Sequence, residues 1–137
     1  MKVQLQINKV EDVMEWLHTS AETYTASQSI SWLIDQVGQL CGEMAFVNNQ
    51  MTVAKKEFNK AKAAAYHTLI LSSHANNQYF SPMLAKDYVG SRCEMEQYNY
   101  DICERASRTI THTLEALRTC ISALKEESKI ANYQGQV

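Results

Sequence analysis

The chain has 137 residues, 45% of them hydrophobic and 20% charged, with one proline, four glycines and a formal net charge of -2. A single domain of this size buries roughly two thirds of the surface its unfolded chain exposes, so folding requires neither a disulfide nor a metal. So few helix breakers in an ordinary globular composition exclude a disordered or loop-rich chain and predict long helices.

Residues 1–28 are read as a short helix and a connector. Val10, Val13, Met14 and Leu17 recur at steps of three and four behind the acidic pair Glu11 and Asp12, which suits a helix start. "TSAETYTASQS" then dilutes the pattern with small polar residues.

A first long helix is expected over 29–72. Ile30, Leu33, Val37, Leu40, Met44, Val47 and Met51 alternate steps of three and four, and Ala54, Phe58, Ala61, Ala65 and Thr68 carry the series on. Such a repeat is a coiled-coil seam. A helix of this span runs roughly 65 Å, about twice the width of a compact domain of this size. The seam is therefore expected to meet helices of other copies and build a homo-oligomer.

"SSHANNQYFSP" interrupts the pattern, and Ser81 followed by Pro82 reads as a cap and a first helical residue. A short helix over 82–90 is expected to stop at Gly90. Ser91, with Glu94 three residues on, has the form of a capping box opening a second long helix over 91–128. Its stripe reads Met95, Tyr98, Ile102, Ala106, Ile110, Thr113, Leu117, Cys120 and Leu124, and 129–137 forms a tail. The predicted fold is all-α: two long helices, a short one between them and a short one in front, in coiled-coil or bundle packing, oligomeric.

No catalytic constellation emerges. The cysteines, Cys41, Cys93, Cys103 and Cys120, lack CxxC spacing and are expected to be buried apolar residues that react slowly. The four histidines form no metal-ligating pair, and neither GxSxG nor a glycine-rich phosphate loop occurs. The expectation is a non-enzyme without metal or cofactor. With no apolar run of signal or membrane-spanning length, a soluble cytoplasmic protein without a membrane partner is expected.

The charge is regional. Residues 1–54 hold two cations against six acids, residues 55–92 hold six against two, and residues 93–137 hold five against seven. The middle region owes its charge to "KKEFNKAKAAAY", which places Lys55, Lys56, Lys60 and Lys62 within eight residues. Exposed ion pairs contribute about 0–1 kcal/mol each, so stability is a poor reason to assemble such a cluster. Lysines that replace counterions along a nucleic-acid backbone gain the entropy of ion release, and copies held side by side multiply the contacts. Lys86 and Arg92 are outlying contributors, and Tyr66, Tyr79, Phe80 and Tyr88 offer faces on which bases could stack.

From Lys55 to Lys125 the chain resembles the UvsY-type recombination mediators of tailed phages. The likeness rests on "NKAKAAAY", the polar break, the short helix and the long helix ending "LEALRTCISALKEE". The family's basic motif falls on Lys60, Ala61 and Lys62. The resemblance implies an oligomeric protein that binds single-stranded DNA and helps load a recombinase onto DNA covered by single-strand-binding protein, in an infected bacterial host. A helical protein-interaction module, structural, regulatory or host-inhibiting, whose lysines meet an acidic protein surface, remains the alternative.

Overall fold

A computed structural model describes residues 3–21 and 29–135. It contains four helices, α1 (Ile7–Ala21), α2 (Ile30–Asn76), α3 (Pro82–Arg92) and α4 (Glu94–Gly135), and no strand among the described residues. Residues 22–28, within the expected connector, lie outside the described residues.

The helix ends follow local chemistry. Ser29 caps α2, its hydroxyl accepting from the Trp32 N–H at 3.1 Å. The same helix outlasts its apolar series and ends at Asn77, which takes the left-handed conformation at φ 51° that terminates many helices. Ser81 caps α3 with Pro82 behind it, as the sequence suggests. Other expected boundaries are corrected, among them the stop at Gly90, which α3 passes to end at Arg92. α1 begins at Ile7, so Glu11 and Asp12 stand beyond its first turn. The Ser91 capping box does not form: Ser91 belongs to α3, its hydroxyl donating to the Tyr88 carbonyl at 2.7 Å. The break falls instead at Cys93 (φ -117°, ψ 21°), and Glu94 and Glu96 occupy the first turn of α4, where the helix dipole favours acids. α4 then continues through the expected tail to Gly135, since nothing before that glycine interrupts it.

α2 and α4 pack antiparallel. Ser107 Oγ donates to Asn48 Oδ1 at 2.9 Å, and Phe58 faces Tyr100 with ring centroids 6.3 Å apart, so position rises along one helix as it falls along the other. Leu33, Leu40, Val47 and Ala54 of α2 are buried with Cys103, Ala106, Ile110, Leu114 and Leu117 of α4. α1 adds Val10, Val13 and Leu17, completing a three-helix body. Each fully buried leucine contributes about 1.5–3 kcal/mol, and this cluster carries most of the core. The seam thus has a partner within its own chain, with Val37, Met44 and Met51 packed at its edges. The length of α2, about 70 Å, does not by itself demand a second copy, because the 42-residue α4 lies against it.

The stripe of α4 starts later than its sequence pattern. Met95 and Tyr98 are 67% and 48% exposed, whereas Ala106, Ile110 and Leu117 are buried. Beyond the body, α3 packs chiefly on α2 through a smaller cluster of Ala65, Val89 and Cys93, flanked by Phe58, Ala61 and Tyr88. Gln50, the buried polar side chain of α2, holds the segment before α1: Oε1 accepts from the Gln6 N–H at 2.5 Å and Nε2 donates to the Gln4 carbonyl at 2.8 Å.

Candidate nucleic-acid interface

The four lysines of α2 divide between two flanks of one helix. Lys55 and Lys62 are seven residues apart and share a side, while Lys56 and Lys60, four apart, share another. Lys55, Lys56 and Lys60 are exposed; Lys62 is half-buried, its Nζ 4.4 Å from the centre of the Phe58 ring. An ammonium over an aromatic face keeps its charge while its stem packs.

That contact sets Lys62 at a groove of about 820 Å³ between α2, α3 and the start of α4. Phe58, Tyr66, Lys86, Asp87 and Glu94 also line it. The docking of α3 therefore brings Lys86 to the same groove as Lys62, although 24 positions separate them in the chain. Tyr66, 41% exposed, offers a ring at its wall. Arg92 turns elsewhere, its guanidinium 5.3 Å from the Tyr88 ring centre. Tyr79 is exposed, and Phe80 and Tyr88 are half-buried.

The predicted residues thus separate into a groove pair, Lys62 and Lys86, a neighbour on the same side, Lys55, and an outer pair, Lys56 and Lys60. Asp87 and Glu94 were not recognised from sequence as members of the site, and both are acids set among its cations. Position in the chain offered one signal: Asp87 adjoins Lys86. Phe58 reads as a seam residue and serves as one, yet it also positions Lys62.

Lys62 also reaches the α3–α4 break. The buried Cys93 thiol is raised above its ordinary pKa, first by burial and then by the Glu96 carboxylate, with Lys62 opposing both. Cys103 is pushed up to about 11 by burial. Cys41, expected to be buried, is exposed, because it falls one residue past Leu40 and turns away from α4; Cys120 is half-buried. Among the described residues no three His, Cys, Asp or Glu side chains group closely enough to hold a metal ion. No described helix is long and apolar enough to cross a membrane.

A larger concavity lies elsewhere, about 950 Å³ between the starts of α1 and α4, lined by Leu5, Ile7, Met95 and Tyr98 among others. Its only lysine is Lys9, beside Glu11 and Glu94, so it lacks the cationic character a polyanion requires. Compared with protein-family models, with curated proteins and with solved structures, the chain matches none.

Proposed function

We propose that this protein binds single-stranded DNA and acts as a recombination mediator of the UvsY type, an assembly factor with no chemistry of its own. The observation that carries the reading is the groove that Lys62, Lys86 and an accessible Tyr66 line together. Phosphates set against the two ammonium groups leave the intervening base free to stack on the ring, a contact worth roughly 1–3 kcal/mol. Duplex DNA holds its bases inside and gains only the phosphate contacts. Lys55 extends the cationic track along α2, and Lys56 and Lys60 add a second, outer track. Loading of a recombinase, displacement of single-strand-binding protein and assembly of several copies belong to the same proposal. An apolar surface beside the lysines favours a protein partner as well.

The test is binding of a labelled single-stranded oligonucleotide followed by fluorescence anisotropy across a range of salt. Affinity should fall with a log-log slope of roughly -0.7 per phosphate neutralised, about -2 if Lys55, Lys62 and Lys86 each hold one. A duplex of equal length should bind more weakly. No salt-dependent binding, or a preference for duplex, would remove the proposal.

A further inference from the structure

Beyond the lysine groove, the end of α2 and the loop before α3 enclose a second, apolar cleft of about 280 Å³. Leu69 is its buried floor, and Tyr66, Ile70, His74, Tyr79 and Phe80 form most of its wall. At about the lower limit of small-molecule sites, it suits a single bulky side chain. The surroundings are unusually apolar for a free surface: Ile70, Leu71 and Leu84 are exposed, Met83 is 75% exposed and Tyr79 87%. The same end is cationic. Residues 55–94 carry six cations against Glu57, Asp87 and Glu94, a net of +3, within a chain of net charge -2.

Charge and shape together select the occupant. We propose that this end of the molecule binds an acidic peptide segment of a partner protein. One bulky apolar side chain seats in the cleft, and the flanking carboxylates meet Lys62 and Lys86 in the adjoining groove. Aliphatic walls such as Ile70 give nothing to a phosphate backbone, so phosphate contacts account for the lysines and not for the aliphatic side of the cleft. Pairing two copies end to end would bring two cationic surfaces together. Tyr66 lines both the cleft and the groove, so peptide and single-stranded DNA meet at one ring and exclude one another.

The experiment uses the full chain and a short labelled peptide of aspartate and glutamate with one central phenylalanine, alongside the same peptide with alanine there. The phenylalanine peptide should bind saturably and at least tenfold more tightly than the alanine peptide. Ile70→Ser should abolish that preference, and Ile70→Glu should weaken both peptides, while single-stranded DNA binding stays within about twofold in each because Ile70 lies outside the lysine groove. Circular dichroism confirms that the exposed substitutions leave the helices intact. Excess unlabelled oligonucleotide should displace the peptide. Equal binding of the two peptides, or a preference that survives Ile70→Ser, overturns the proposal. So does light scattering that shows an oligomer dissolved by Ile70→Ser, since a second copy would then occupy the cleft. The inference is independent of the DNA reading: if the parent protein fails to bind DNA, the phenylalanine preference still decides it.

Discussion

Single side chains set the terms of recognition in the groove. Lys62 holds its ammonium over the Phe58 ring at the wall of the groove that Tyr66 also lines, whereas Lys56 and Lys60 stand on another flank of α2. Replacing Lys62 and Lys86 together by alanine should therefore reduce the salt slope by about 1.4 and remove the preference for single strands. Replacing Lys56 and Lys60 should leave that preference in place. Asp87→Asn and Glu94→Gln should each tighten DNA binding, because each removes a negative charge from the wall that meets phosphate. These variants are read by the same anisotropy titration. Equal losses for both lysine pairs would mean that the groove is not the binding track.

Cys103 provides a pH signature of the body. Its thiol titrates at about 11 in the folded chain against an ordinary 9.0. Between those values the unfolded chain loses the proton and the folded chain keeps it, so stability is intact below pH 9 and declines as pH rises towards 11. The decline should be on the order of 1 kcal/mol per pH unit. Urea unfolding across that range should show it, and Cys103→Ala, though less stable at neutral pH, should lack this component of the slope.

At the level of helices, pattern and packing differ in how clearly they are written in the sequence. The seam of α2 was legible because Leu33, Leu40, Val47 and Ala54 are buried at the positions its alternation names. Its partner was not: an apolar repeat records that a helix faces another helix, not whose chain supplies it. Ser91 shows the same limit at a boundary. A serine three residues before a glutamate suits a cap, yet Tyr88 offers a carbonyl within reach and the α3 helix runs on to Arg92. Gln50 was invisible to pattern reading, since a polar residue inside an apolar series looks like a surface position. Gln50→Ala should cost about 1–3 kcal/mol by leaving the Gln6 N–H and Gln4 carbonyl without partners. Leu40→Ala, at the body's centre, should cost about 2–5 kcal/mol. Both follow from chemical denaturation, and the Gln50 change should loosen residues 3–6 first.

For the molecule as a whole, the fold was more legible than the site. Helix number and order follow from periodicity and from few breakers, each a local property. The groove depends on where α3 lands, and that is decided by Val89 and Cys93, one turn apart, settling against Ala65, 24 positions before Val89. The lysine run was easy to see, but its division into inner and outer pairs gained meaning only once α3 brought Lys86 to the groove that Lys62 lines.

The two clusters of buried residues are unequal, and this inequality has a kinetic consequence. Among the described residues, twelve buried side chains hold the three-helix body, while three hold α3 to α2. Such an end opens by local excursions that leave the remainder closed. In hydrogen–deuterium exchange, amides of α3 should become labelled well before those of α2 from Leu33 to Ala54, and added oligonucleotide should slow α3 selectively. The binding surface would then stand ajar more often than the three-helix body, and a ligand bridging Lys62 and Lys86 would act as its latch.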